Sequence, residues 1–152
     1  MMRLVIAIDE RPVDVLLERV LELVNVRDAE ILLVYVLDPG GPEEWERIAG
    51  RHLLRPGPLG RGKEHMRAVD RTEGERVLSR AAAAAAAWGA TGVEARLLEG
   101  DPKHQIVALS ATEGADLLVV FVHGREVGPK SIHKPARFMI DHALCPVLII
   151  KG

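Results

Sequence analysis

The sequence predicts an α/β fold, a parallel sheet covered by helices on both faces. Three observations carry that expectation. Short, solid apolar runs recur along the chain, among them "RLVIAID" (3–9), "EILLVYVLD" (30–38) and "DLLVVFV" (116–122). Runs without polar alternation suit strands buried on both faces. Segments of helical period lie between them, and helix start and stop signals mark several junctions. Strands that alternate with helices in this way build parallel sheets.

The first element is the strand at 3–9, ending in Asp9. Then "ERPVDVLLERVLELVNV" (10–26) puts Val13, Leu16, Leu17, Val20, Leu21 and Val24 on one helical stripe. Pro12 suits the first turn, where its missing N–H costs nothing. The run at 30–38 is the second strand. Residues 39–63 are rich in Gly, Pro and Arg and read as an insertion, because loops this long in a compact domain are uncommon and often functional. A long helix is predicted from Glu64 to Ala90, with Met66, Val69, Val77, Ala81, Ala84 and Trp88 on one face and Gly74 as an interruption. Its seven consecutive alanines (81–87) are strong helix formers. "GVEARLL" (92–98) is the third strand. In "DPKHQIVALSATEGA" (101–115), Asp101 suits the N-cap, Pro102 the first helical position and Gly114 the stop. The strand at 116–122 follows. "KPARFMIDHAL" (134–144) is a helix with Pro135 at its first position, and "PVLIIK" (146–151) is the last strand.

Composition narrows the function classes. The 152 residues suit a single domain. A net charge of -2 argues against a dedicated nucleic-acid binder, and 3% aromatic residues leave little on which to stack bases. No apolar run approaches the roughly 20 residues that span a bilayer. The one cysteine, Cys145, forms no internal disulfide and fits a reducing cytoplasm. No metal-hydrolase pairing occurs among the six histidines. His142 and Cys145, three apart near a helix end, read as packing neighbours. Ser131 has no evident base beside it, and no nucleophile elbow occurs. These readings favour a protein that is not an enzyme.

Several pieces share one order: the opening "LVIAID", the strand end "VYVLD", the segment "EGDPKHQIVALSATEGADLLVV" and the close "HALCPVLIIK". Together they resemble the universal stress protein family over essentially the whole chain. The resemblance implies one domain over 1–152, with an open five-stranded parallel sheet of order 3-2-1-4-5. Ligands in such a fold gather at the carboxyl ends of the strands, around the point where strand order reverses. It also implies a stress-response or regulatory role.

Some members of that family bind ATP through a Gly-x2-Gly-x9-Gly-[Ser/Thr] loop that opens the last helix. Glycines let backbone approach phosphate, and the helix N-terminus adds free N–H groups and its dipole. Here Gly124 aligns with the second glycine. Phe121 replaces the first, His133 and Lys134 replace the final pair, and the loop is one residue shorter. A standard triphosphate cradle is therefore not encoded, and weak, altered or absent ATP binding is expected. The loop still carries Arg125, Lys130, His133, Lys134 and Arg137 against Glu126. Two readings follow: a site for a small anion at the helix start, or cations simply solvated around a degenerate site.

Asp9 also has two readings. It suits capping of the helix that begins near Pro12. The resemblance places it where an acid meets the nucleoside, with Val36 where backbone meets the adenine edge. A carboxylate can accept hydrogen bonds from a ribose diol, so the nucleoside half of a site can persist while the phosphate half changes. Candidate ligand residues are thus Asp9, Val36, Gly124, Lys130, His133 and Lys134, with ATP or another adenine nucleotide as the possible cofactor. A receiver-like signalling domain fits less well, because the chain ends one residue after Lys151. An ATP-pyrophosphatase loop is not matched by "DERPVD". The last strand lies at the sheet edge in the implied order, and an apolar edge predicts a homodimer through it.

Overall fold

The computed structural model describes residues 1–9, 13–38, 59–122 and 134–151, with residues 13, 59–70 and 134 described in secondary structure alone. The element order is β1 (Met2–Ile8), α1 (Val13–Leu23), β2 (Ala29–Leu37), α2 (Leu59–Ala87), β3 (Gly92–Glu99), α3 (Pro102–Thr112), β4 (Leu117–Val122), α4 (Lys134–His142) and β5 (Val147–Lys151). All strand pairs are parallel, in the order β3-β2-β1-β4-β5. The expected fold class holds.

Two apolar layers follow from strand alternation. Leu4, Ile6, Ile8, Ile31, Leu33, Tyr35, Val119 and Phe121 share a core with α1 and α2 residues. Val5, Ala7, Leu32, Val34, Leu118, Val120 and Val122 form the other, with Ile106 of α3 and Ala136 and Met139 of α4. The change of face comes with the reversal between β1 and β4, since right-handed crossovers in opposite directions put their helices on opposite sides. On α1, Leu16, Leu17, Val20 and Leu21 are buried as the stripe predicts.

The long helix departs from expectation in phase. It begins at Leu59, so residues 59–63, assigned above to the insertion, are helical; the remainder of that segment, 39–58, lies outside the described residues. Its buried stripe is Gly74, Leu78, Ala81 and Ala85, whereas Trp88 is 42% exposed. Val77 and Ala84 sit half-buried beside it, and the side chains of Met66 and Val69 are not described. Alanines on every side give the run no phase of its own. Gly74 supplies it, because a Cβ there would stand 2.9 Å from Leu97 Cδ1 and 3.0 Å from Tyr35 Cδ1. The residue read as an interruption is a point of close helix–sheet approach. Arg71, one turn earlier, pairs with Glu99 at the end of β3 at 2.9 Å. Residues 59–70 of α2 therefore run on past the carboxyl ends of the strands, by about 18 Å at helical rise.

Helix α3 shows how the local signals act. Pro102 opens it and Asp101 has extended backbone at the cap position, but Asp101 makes no side-chain cap hydrogen bond. At the far end Gly114 takes φ +63°. The Gly114 N–H donates to Ala111 O at 3.2 Å and the Ala115 N–H to Ser110 O at 2.9 Å. This paired closure satisfies the last carbonyls and ends the helix. Among the described residues no helix is long and apolar enough to cross a membrane.

Candidate functional site

Strand order dictates where a ligand can enter. At β1 and β4 the crossovers leave in opposite directions, so the carboxyl ends open a crevice there. A cleft of ≈ 380 Å³ occupies it. Its floor comes from Ala7, Ile8 and Val120, with Tyr35, Val36 and Phe121 beside them. Pro102 and Ile106 of α3 form one helical wall, and Pro135 and Met139 of α4 the other. In each helix an opening proline and the residue four later lie on one face, which aims both pairs inward. Asp9 is the one carboxylate among the described lining residues.

Two of the candidates meet in this cleft: Asp9, one residue past β1, and Val36, near the end of β2. Lys134 is the first residue of α4, with Pro135 directly after it in the first turn; its side chain is not described. Gly124, Lys130 and His133 lie outside the described residues, as do residues 10–12, on which the capping reading of Asp9 depends. On the helices, the lining residues not anticipated are Pro102, Ile106, Pro135 and Met139. Their signal was present, since the two prolines mark helix starts and each has an apolar residue one turn on.

Phe121 is 3% exposed and belongs to the core layer shared with α1 and α2, while also bordering the cleft. Its ring is part of the packing that holds β4. A glycine at this position would remove that packing from the end of the strand.

A polar and aromatic seam joins α3 to α4 near the cleft. His104 packs against Phe138 with ring centroids 4.5 Å apart, and Phe138 stacks on His142 at 4.0 Å. Lys103 Nζ lies 5.8 Å from the centroid of Phe138. The His142 Nδ1–H donates to Phe138 O at 2.9 Å, so this ring is engaged with its own helix. Asp101 contacts His104 and pairs with Lys103 at 3.1 Å. Burial pushes the Asp101 carboxyl up, but the hydrogen bonds from His104 and Lys103 outweigh it and hold the group below its ordinary value. Burial pushes the Cys145 thiol up, which disfavours the nucleophilic thiolate. Among the described residues no group of three or more His, Cys, Asp or Glu is placed to hold a metal.

The opposite end of the sheet carries a second cleft, ≈ 290 Å³, lined by Arg3, Glu30, Glu94 and Glu113 among others. Its charges are engaged with each other. Arg3 Nε meets Glu30 at 3.3 Å and Arg3 Nη1 donates to Glu113 O at 2.7 Å. Arg96 bridges Glu113 at 2.7 Å and Glu94 at 2.8 Å. Hydrogen bonds to Glu94 and Glu113 raise Arg96, and the bond from Arg96 holds the Glu113 carboxyl below its ordinary value.

The comparisons agree with this architecture. The model of the universal stress protein family matches residues 1–151. A universal stress protein from Archaeoglobus fulgidus, solved in complex with dAMP, superimposes with a TM-score of 0.66 at 24% identity, covering 99% of this chain and 98% of that one. A universal stress protein family member from Arabidopsis thaliana with AMP bound gives 0.67 at 22% identity, covering 99% and 92%. A universal stress protein in complex with cAMP gives 0.64 at 19%, covering 99% and 96%. At these identities the likeness is one of fold. No curated protein matches the sequence.

Proposed function

The chain belongs to the universal stress protein family, and from that premise we propose that it is a non-enzymatic regulatory protein that works as a homodimer and holds an adenine nucleotide by its nucleoside end. The observation that carries this reading is the cleft at the strand-order reversal, with apolar walls and Asp9 as its one described carboxylate. Such walls suit a base, and a carboxylate suits ribose hydroxyls as donors. Family members solved with dAMP, AMP and cAMP support the ligand class. Asp9 repels phosphate, so the phosphate end points away from β1, toward the start of α4. With Phe121 locked in the core and Gly replaced there, a monophosphate is favoured over ATP.

Calorimetric titration of AMP, and of ATP with Mg²⁺, tests this directly. AMP binds more tightly than ATP, neither is turned over, and Asp9→Asn weakens AMP by about tenfold, the worth of one hydrogen bond to a charged group. Micromolar ATP binding with ordered phosphates on the Gly124 loop, or sustained hydrolysis, would overturn the reading.

The dimer rests on a separate observation. β5 is the outer strand of the sheet formed by the described residues. Leu144, just before it, is 86% exposed and Ile140 is 41% exposed. An apolar edge of this kind invites pairing with a second copy. Sedimentation at about 30 μM, ample for an obligate interface, gives a dimer, and Ile149→Lys gives a monomer. A wild-type monomer at that concentration would sink the dimer and leave the nucleotide reading standing.

A further inference from the structure

Two turns meet at the amino end of the sheet. One follows α1 and runs through Asn25 to Asp28 into β2; the other, Trp88 to Thr91, leaves α2 and enters β3. Pairing of β2 with β3 sets Glu30 beside Gly92, and a Cβ at Gly89 would lie 3.3 Å from Arg27 Nε. Helix α1 packs against α2, so both helices deliver their last turns to this corner. Each brings a large apolar side chain into solvent: Leu23 is 67% exposed and Trp88 42%. No charged residue occurs from Ala81 to Val93, and Ala86 and Ala87, beside Trp88, are exposed as well. The solvent side of a surface helix is ordinarily charged or polar. Apolar side chains scattered singly over a surface need no explanation, but here an indole, a leucine and two alanines share one corner of the fold.

The charge around this corner is negative on balance. Glu22, Asp28, Glu30, Glu94 and Glu113 stand against Arg3, Arg27 and Arg96. Arg3 is already committed to Glu30 and Glu113, and Arg96 to Glu94 and Glu113. Helices α1, α2 and α3 all end on this side of the sheet, and none has a basic residue in its last turn, so their partial negative charge favours an incoming cation. We infer that this corner, with Trp88 and Leu23 at its centre, docks a cationic amphipathic helix of a partner protein. The apolar side of such a helix covers the indole and the leucine, and tryptophan is enriched among residues that anchor such contacts. Lysine or arginine beside that apolar side meets the carboxylates and the helix ends. The same charge repels nucleic acid and anionic membrane. The corner lies at the opposite end of the strands from the nucleotide cleft, so the inference stands or falls apart from that reading.

A synthetic amphipathic helix of leucine and lysine serves as the probe. The full chain has two tryptophans, and Trp45→Phe leaves Trp88 as its one indole. The probe is expected to shift Trp88 emission to shorter wavelength and to saturate, at the affinity that calorimetry gives for the unsubstituted chain. Trp88→Ala weakens the probe by about tenfold or more and, as a change at an exposed residue, leaves the melting midpoint in place. Glu30→Gln combined with Glu94→Gln weakens it too, and so does added salt. A leucine–glutamate helix with the same apolar side does not bind, and neither do vesicles of phosphatidylglycerol. Equal binding of the two helices would show a merely apolar surface, and vesicle binding would make the occupant a membrane; either overturns the inference. So does a probe that fails to bind, or that binds Trp88→Ala unchanged. If Trp88→Ala by itself lowers the mass of the chain in sedimentation, a second copy covers the corner and the inference fails.

Discussion

At the amino ends of β1, β2 and β3, five charged side chains close on one another, from Glu30 through Arg3, Glu113 and Arg96 to Glu94. At the carboxyl ends of β1, β2 and β4, Asp9 is the one carboxylate among the described lining residues, set among apolar walls. Both ends hold a cleft, and the volumes differ modestly, ≈ 290 Å³ against ≈ 380 Å³. Size does not separate them. At the amino end arginine and glutamate satisfy each other and tie the turn after α3 to three strands. At the carboxyl end, apolar surface meets a carboxylate in a crevice that the strand order itself creates. At one end charge serves the fold; at the other, apolar surface and one described carboxylate surround open volume.

Phe121 is where this division is sharpest, because it borders the cleft and belongs to the core. Phe121→Gly would bring the sequence closer to a phosphate-binding loop. We expect it instead to cost about 3–5 kcal/mol of stability, as for other buried aromatics truncated in a core, with no gain in ATP affinity. Urea unfolding and calorimetry check this. A loss under about 1 kcal/mol, the scale of an ordinary point substitution, together with new ATP binding would erase the division.

At the amino end, Gly114→Ala isolates backbone from packing. Nothing lies within 4 Å of a Cβ built there, and φ is +63°. The whole cost is the left-handed conformation, about 1–2 kcal/mol, read as a lower unfolding midpoint with AMP affinity intact. Arg96→Met comes next. Its partners Glu94 and Glu113 are 63% and 22% exposed, so solvent and salt screen the pairs. We expect a Tm lower by about 1–3 °C, a difference that shrinks in high salt, again with unchanged AMP binding.

The smallest effect is one of pH. Glu113 is held below its ordinary value, chiefly by the hydrogen bond from Arg96. A carboxyl depressed in the folded state stabilises above its unfolded pKa, about 4.3, and that contribution is lost as pH falls through the folded value. The wild-type midpoint therefore drops on acidification below about pH 4.3, and Glu113→Gln drops less steeply. Identical slopes would remove Glu113 from the account of the amino end.

Local chemistry was legible in the sequence wherever a residue acts through its own backbone. Pro102 at the start of α3 and Gly114 at its end stand where their conformational preferences place them. The solid apolar runs announced the strands, and strand order followed from the resemblance. Asp9 and Val36 came from the resemblance, and the structure brings both to one cleft because the ends of β1 and β2 are adjacent in that order. The phase of α2 was not legible. A run of alanines presents nearly the same surface all round, and only the contact of Gly74 with Tyr35 and Leu97 fixes its rotation. The helical walls of the cleft were missed for a related reason. Pro102 and Pro135 read as punctuation, and their second role as lining appears once α3 and α4 face each other across β1 and β4. The cap expected of Asp101 gave way to pairing with Lys103 and contact with His104.

Helix α2 can finally be considered as a mechanical part. It has 29 residues, about 44 Å at helical rise, and it packs closely on the sheet at Gly74. Arg71 clips it to the rim of the sheet beside that contact. Beyond that pair the helix continues through residues 59–70, about 18 Å at helical rise. This is the geometry of a lever with its fulcrum at residue 74. A tilt of about 5° at the fulcrum displaces Leu59 by about 2 Å, taking the arm from Gly74 to Leu59 at helical rise.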